Sequence, residues 1–144
     1  MMIKPEDLRI GDLVMISHGC MFPKGTVCAV TEIHPDKEFG YKKGVVSLRA
    51  INDDDDRPCG TWCYCVDGIP ITPEMLKNNG FEMKEDTVVY AKSKLGLKPL
   101  DDNKGYQAGI GYNLIYVKIG DIKYVHELQH ILWVLNMDTI LQIR

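Results

Sequence analysis

The segment His126-Glu127-Leu128-Gln129-His130 has the residue types and the spacing of the H-E-x-x-H zinc motif. In that motif two histidines one helical turn apart bind zinc, and the glutamate beside the first histidine acts as a base on a zinc-bound water. The segment therefore carries one hypothesis of catalysis, a zinc-dependent metallopeptidase-like hydrolase. Its zinc ligands would be His126 and His130, and its catalytic base would be Glu127.

The sequence around this motif argues against a zinc centre. A catalytic zinc needs a third protein ligand, but in the extended motif Trp133 stands in the place of a glycine and Asn136 in the place of the third histidine. At about 100° per residue, His126 and His130 also point away from the apolar face of the predicted terminal helix. We therefore expect both imidazoles at the protein surface, no catalytic residue and no bound cofactor, with zinc as the alternative.

Five cysteines form a second group with potential chemistry: Cys20, Cys28, Cys59, Cys63 and Cys65. The spacing Cys59-x3-Cys63-x-Cys65 differs from the paired C-x2-C knuckles of zinc sites. A zinc site there would take its remaining ligands from four residues: His18, Cys20, Cys28 and His34. On a strand, Cys63 and Cys65 would share one face. Trp62 and Tyr64 would then share the other face, so the pattern favours buried, reduced cysteines beneath an aromatic pair.

The composition is that of an ordinary globular protein, with 45% hydrophobic and 26% charged residues. The formal net charge of -3 and the lack of a Lys/Arg-rich block disfavour nucleic acid as a partner. For nucleic-acid binding, four cations would have to converge near an aromatic such as Tyr41: Lys24, Lys42, Lys43 and Arg49. The charged start of the chain lacks the apolar run of a secretory signal or membrane anchor, so we expect a cytoplasmic protein.

Four segments of the N-terminal half have the β-branched content and the Gly, Pro or Asp boundaries of short strands. They cover residues 9–16, 25–33, 44–51 and 59–66. Four strands at this spacing suit a small SH3-like barrel or a rolled antiparallel sheet, because closing a sheet removes its unpaired edges. We predict that this β subdomain covers residues 1–67.

The second half begins with the signals of a short helix. Thr72 has the type of an N-cap residue, and Pro73 suits the first helical position because its missing N–H would have no helical partner there. Asn79-Gly80 is a typical end of such a helix. The sequence therefore predicts a helix from Pro73 to Asn78.

The rest of the second half is predicted as a mixture of strands and one longer helix. Segments 82–91 and 114–119 have strand character. Residues 124–136 carry apolar side chains at helical spacing, which predicts an amphipathic helix with one apolar face. We predict an α+β fold in which an α+β subdomain over residues 68–144 packs against the first as a single compact unit.

Three motifs occur together along the chain. Residues 67–76 read D-G-I-P-I-T-P-E-M-L and are followed by Gly80-Phe81, residues 8–14 read L-R-I-G-D-L-V, and residues 126–129 hold a His-x-Leu-Gln pattern. Together they resemble a family of small uncharacterised proteins that are common in gut bacteria and their phages. The resemblance implies a strand-rich N-terminal part that leads into a short helix, and a phage or mobile-element origin. It implies no established activity and no catalytic residues.

The sequence favours a non-enzymatic protein-interaction or accessory module, in which the SH3-like part offers a groove or sheet surface to a protein partner. Aromatic side chains are enriched in the cores of protein interfaces. Trp133 interrupts the polar side of the predicted terminal helix, as a contact residue would. The predicted contact surface consists of Trp62, Tyr64 and Trp133.

Overall fold

The computed structural model describes residues 3–40, 42–51, 58–83, 89–101, 104–112 and 115–143. The chain divides into two compact units, Met1–Ile69 and Pro70–Arg144, here called the N-terminal unit and the C-terminal unit. The predicted boundary at 67/68 falls two residues before this division, and the packing of the two subdomains against each other stays a prediction. Each unit is built on one antiparallel five-stranded sheet, so the fold is strand-rich α+β.

The N-terminal unit holds five strands in the spatial order β4-β3-β2-β1-β5. Their bounds are β1 Leu13–Ile16, β2 Val27–Phe39, β3 Lys42–Ala50, β4 Cys59–Trp62 and β5 Val66–Gly68. One-turn 3-10 helices lie at Pro5–Asp7, before β1, and at Cys63–Cys65, between β4 and β5. Within the described ranges β4 and β5 do not pair, so the sheet is not closed.

The core of this unit lies on one face of the sheet. Val46, Leu48 and Ala50 alternate with more exposed residues along β3, because successive side chains of a strand point to opposite faces. The buried residues that form the core cluster are Ile3, Leu8, Val14, Ile16, Cys28, Val30, Val46, Leu48, Ala50, Cys63 and Val66. This packed face is the scaffold on which the loops at the sheet's ends are held.

The prediction of one continuous strand over residues 59–66 is wrong. Strand β4 ends at Trp62, the 3-10 helix turns the chain, and β5 begins at Val66 on the far side of the sheet, beside β1. β4 and β5 run in the same direction at opposite edges of the sheet, so one straight strand cannot supply both and the chain must cross between them. Cys63 and Cys65 are both buried, as expected. They are buried because they lie in a 3-10 helical turn, and not because they share one face of a strand.

The C-terminal unit holds five strands in the order β10-β9-β8-β7-β6 and two helices. The elements are α1 Pro73–Asn78, β6 Glu82–Met83, β7 Tyr90–Lys92, β8 Leu95–Pro99, β9 Tyr106–Tyr112, β10 Ile115–Ile122 and α2 Val125–Val134. All strand pairs are antiparallel, and each strand lies beside its neighbours in the chain. This simple meander needs only short connections.

The predicted helix from Pro73 to Asn78 is confirmed, together with its N-cap. The Thr72 hydroxyl accepts a hydrogen bond from the backbone N–H of Met75 at 3.2 Å. Gly80 follows the helix with a φ of +87°, a left-handed conformation that glycine adopts without steric cost. Local signals at both ends of this helix were therefore sufficient to predict it.

The terminal helix α2 is shorter than its predicted range by one residue at the start and two at the end. Tyr124 is its N-cap residue. At the other end Asn136 adopts a left-handed φ of +56°, and the N–H of Met137 donates to the Leu132 carbonyl at 2.8 Å. This is the hydrogen-bond pattern of a helix C-terminus closed by a left-handed residue. No helix in the described part of the chain is both long and apolar enough to cross a membrane.

Candidate functional site

The first histidine of the H-E-x-x-H segment lies inside the C-terminal unit. His126 is only 3% exposed, and its ring is stacked on that of Tyr124 with the centroids 5.9 Å apart. His130 is half-buried, and its ring stands edge-on to that of His126 at 5.9 Å. The prediction that both imidazoles face solvent is therefore wrong for His126, because α2 buries a wider arc than its apolar stripe.

Glu127 caps the helix that carries it. Its Oε1 atom accepts hydrogen bonds from the backbone N–H groups of Lys123 and Tyr124, each at 3.0 Å. A glutamate at the third helical position commonly satisfies the N-cap N–H in this way, and its charge is favourable near the positive end of the helix dipole. The carboxylate that a zinc hydrolase would use as a base thus accepts two backbone hydrogen bonds at the start of α2.

The two central residues of the segment also have structural contacts. Leu128 is fully buried, and the Nε2 atom of Gln129 donates to the Thr139 carbonyl at 3.2 Å, which fastens the chain that follows α2. Over the described ranges, no three His, Cys, Asp or Glu residues form a group that could hold a metal ion. These contacts favour a structural role for the segment over a catalytic one.

The structure places Cys59 beside Cys20, one of the residues considered above as a further zinc ligand. The Sγ atoms of Cys20 and Cys59 are 2.8 Å apart. Burial raises the pKa of Cys28 to about 12, and the charges of Cys20 and Cys59 add to that shift. Burial also raises the pKa of Cys63 to about 11, but its further contributions come from Glu6 and Asp7.

The side chains of the two histidines proposed as partners of the cysteines contact other residues. The exposed imidazole of His34 pairs with the Glu32 carboxylate at 3.1 Å. His18 contacts Tyr64, with ring centroids 5.1 Å apart and planes tilted by 58°. Cys65 is buried below the loop that carries His18. Among the described residues, these contacts give no support to a zinc site built on Cys59, Cys63 and Cys65.

Two of the predicted contact residues, Trp62 and Tyr64, meet in a partly exposed group of aromatic rings around one cation. The Lys42 Nζ atom lies 5.8 Å from the centroid of the Trp62 ring and 5.9 Å from that of the Tyr64 ring. His18 extends this group through its contact with Tyr64. We call these four residues the aromatic cluster: His18, Lys42, Trp62 and Tyr64.

Four elements of the N-terminal unit position the aromatic cluster, and Lys42 is the first residue of one of them, β3. Trp62 is the last residue of β4 and pairs with Val45 of β3, while Tyr64 is the central residue of the second 3-10 helix. The loop between β1 and β2 is tied to this helix, because both the N–H and the hydroxyl of Ser17 donate to the Cys65 carbonyl, at 2.8 and 2.9 Å. This hydrogen bonding holds His18 beside Tyr64.

The same loop approaches the sheet so closely that it requires a glycine. Gly19 has a left-handed φ of +66°, and a side-chain carbon there would lie 3.0 Å from the Cys65 Sγ atom. The Thr61 hydroxyl donates to the Gly19 carbonyl at 3.4 Å. The loop is therefore attached both to the 3-10 helix and to β4.

Sequence reasoning found Trp62 and Tyr64 but not the other two members of the aromatic cluster. His18 was considered only as a zinc ligand, and Lys42 only as part of a nucleic-acid surface. Tyr41, the aromatic proposed for that surface, lies outside the described residues. The remaining predicted contact residue, Trp133, is 65% exposed on α2 of the C-terminal unit. No local pattern relates residues 18, 42 and 62, because the pairing of β3 with β4 and the hydrogen bonds of Ser17 to the Cys65 carbonyl bring them together.

A scan against protein-family models and searches of curated proteins and of solved structures found no match to this chain.

Proposed function

We propose that this chain is a cytoplasmic, non-enzymatic protein-interaction module, and that the aromatic cluster binds an extended, proline-rich peptide segment of a partner protein. The observation that carries the proposal is the placement of the Lys42 ammonium within 6 Å of two partly exposed aromatic rings, those of Trp62 and Tyr64. The resemblance to small uncharacterised proteins of gut bacteria and their phages supports a phage or mobile-element origin as part of this proposal.

The architecture of the N-terminal unit supports an SH3-like form of this module. Consecutive strands β1 to β4 lie side by side, the last strand β5 returns to the outer edge of β1, and a 3-10 helix precedes it. This arrangement is typical of small SH3-like barrels. Domains of that kind bind proline-rich segments in aromatic-lined grooves at the ends of their strands.

The chemistry of the aromatic cluster fits such a peptide. Proline rings are apolar and rigid, and a polyproline II segment loses little conformational entropy when it binds. Trp62 and Tyr64 offer flat apolar surfaces with polar edges, which suits partly hydrated binding. The cation of Lys42 favours a peptide that carries an aspartate or glutamate beside its prolines, because a carboxylate there would complete an ion pair.

Two tryptophans, one in each unit, provide a sharp test with a matched control. We expect a synthetic proline-rich peptide with one aspartate to change the fluorescence of a Trp133→Phe variant, in which Trp62 is the remaining tryptophan. A Trp62→Ala substitution should weaken binding by about 2 kcal/mol or more, roughly 30-fold in Kd by calorimetry, as expected for a central aromatic contact. Trp133→Ala, at the exposed tryptophan of the C-terminal unit, should leave the Kd unchanged.

Charge provides the second arm of the experiment. Replacing the peptide's aspartate by asparagine, or Lys42 by methionine, should each weaken binding, and the two changes together should cost less than their sum. The proposal fails if a panel of such peptides leaves the Trp62 fluorescence unchanged. It also fails if Trp62→Ala and Trp133→Ala weaken binding equally, since the aromatic cluster would then have no special role.

A further inference from the structure

Cys20 and Cys59 are separated by 38 intervening residues in the sequence, yet their sulfur atoms touch. Cys20 lies half-buried in the loop between β1 and β2, and Cys59 begins β4 and is 6% exposed. The Sγ atoms are 2.8 Å apart. A disulfide bond is about 2.05 Å long, so closing it requires the sulfur atoms to approach by only about 0.8 Å.

We propose that Cys20 and Cys59 form a reversible disulfide when the protein meets a small-molecule disulfide oxidant such as oxidised glutathione. The partly exposed Cys20 thiolate attacks one sulfur of the oxidant, which forms a mixed disulfide and releases one glutathione. The Cys59 sulfur then attacks the Cys20 sulfur and releases the second glutathione. Two electrons and two protons pass from the protein thiols to the two glutathione thiols, so the step is balanced.

Partial exposure distinguishes Cys20 from the other four cysteines, which are all buried. Burial, followed by the hydrogen bond with Cys20, raises the pKa of Cys59, which makes it a poor first nucleophile but leaves it in place to resolve a mixed disulfide. The thiols of Cys28 and Cys63, with pKa values near 12 and 11, are buried in the core and are held in the unreactive protonated form. The oxidant therefore reaches Cys20 before any of these.

The disulfide would fasten the loop that carries His18 covalently to β4. In the reduced protein this loop is held by the hydrogen bonds of Ser17 to the Cys65 carbonyl and by that of Thr61 to the Gly19 carbonyl. The Ser17 bonds join the loop to the second 3-10 helix and the Thr61 bond joins it to β4, so the disulfide would be a second link between the loop and β4. Oxidation is thus expected to raise the melting temperature, because it limits the freedom of the unfolded chain between residues 20 and 59.

The test uses the whole protein, reduced, freed of reductant and equilibrated with excess oxidised glutathione. We expect two of the five thiols to be lost, with a mass decrease of two hydrogen atoms and no retained glutathione. Peptide mapping without reduction should recover the Cys20 peptide joined to the Cys59 peptide. Cys20→Ser and Cys59→Ser should each abolish this link. Because Cys20 is half-buried, its serine variant should retain the native fold, checked by circular dichroism.

Cys28→Ser is the matched control, because it removes a thiol whose pKa is raised in part by the charges of Cys20 and Cys59 and should leave the link intact. The proposal is overturned if all five thiols survive the oxidant in the folded protein, or if the linked peptides contain Cys28, Cys63 or Cys65. A link that appears only in denaturant would overturn it as well. None of these readouts depends on peptide binding, so the result stands apart from the proposed function.

Discussion

The two units of this protein differ in whether sequence motifs or spatial contacts reveal their potentially reactive residues. In the C-terminal unit five consecutive residues match a zinc motif, yet Glu127 caps a helix, Leu128 fills the core and Gln129 binds a backbone carbonyl. In the N-terminal unit Cys20 and Cys59 match no motif, yet their sulfur atoms are in contact. A match of consecutive residues to a motif is therefore weaker evidence of reactivity than contact between side chains in the folded protein.

The physical origin of this difference lies in the elements that carry the residues. A helix projects residues i and i+4 to the same side whatever surrounds it, so His126 and His130 are neighbours in any structure that contains α2. A reactive site also needs groups from other elements, and such groups arrive only through tertiary packing. The paired strands β1 to β4 and the loop between β1 and β2 provide that convergence in the N-terminal unit.

The largest effect should come from the two histidines that the zinc hypothesis treats as equivalent. His126→Ala should lower the free energy of unfolding of the C-terminal unit by about 3 kcal/mol, because it leaves a cavity where a buried ring stacks on Tyr124. His130→Ala, at a half-buried position, should cost less than about 1 kcal/mol. Denaturant unfolding followed by Trp133 fluorescence in a Trp62→Phe background measures both values.

The same variants test the zinc alternative directly. A structural role for His126 and His130 predicts no stoichiometric zinc in protein purified without a histidine tag. If the wild-type protein carries one zinc per chain and both alanine variants lose it, the structural interpretation of the segment is wrong. Equal destabilisation by the two substitutions would also contradict the structural interpretation, since the loss of either ligand of one metal should lower the stability by a similar amount.

A smaller effect should distinguish a capping glutamate from a catalytic one. Glu127→Ala should destabilise the C-terminal unit by about 1 kcal/mol, because two N–H groups at the start of α2 lose their acceptor. Glu127→Gln should retain most of this stability, since an amide oxygen can accept the same hydrogen bonds. If the glutamine variant is as unstable as the alanine variant, Glu127 stabilises α2 through its charge and not through its capping hydrogen bonds.

The smallest expected effect is a difference between the two units in how their stability depends on pH. Burial raises the pKa of Cys28 to about 12 and that of Cys63 to about 11, above the ordinary value of 9.0. The folded N-terminal unit therefore keeps protons that the unfolded chain releases, and this stabilisation is full below pH 9.0 and is lost as the pH rises towards the folded pKa values. Burial also raises the pKa of Tyr106 above 10.0, so the C-terminal unit should weaken only at higher pH.

Unfolding of reduced protein from about pH 8 to about pH 10.5 checks this order. Trp62 fluorescence in a Trp133→Phe variant reports on the N-terminal unit, and the converse variant reports on the C-terminal unit. Cys28→Ala should make the decline of the N-terminal unit shallower, because one titrating thiol is removed. A decline that begins at the same pH in both units would contradict the assignment to the buried cysteines.

Much of the secondary structure was predictable because its signals are local. Thr72 and Pro73 define the start of α1, and Gly80 follows its end. The single strand predicted over residues 59–66 was wrong for a nonlocal reason, since β5 must pair with β1 and the chain has to turn to reach it. Only half of the aromatic cluster was predicted: Trp62 and Tyr64 are visible in sequence, but the position of Lys42 depends on strand pairing and that of His18 on the hydrogen bonds of its loop.

The sequence by itself determined the strand-rich α+β character, the caps of α1 and the presence of a terminal helix, because backbone preferences and side-chain periodicity act over a few residues. Only the tertiary structure decided that His126 is buried, that Glu127 is occupied by the backbone, and that Cys20 meets Cys59. Burial and long-range contact depend on which surfaces pack together. That packing is a property of the whole folded unit, and no short segment encodes it.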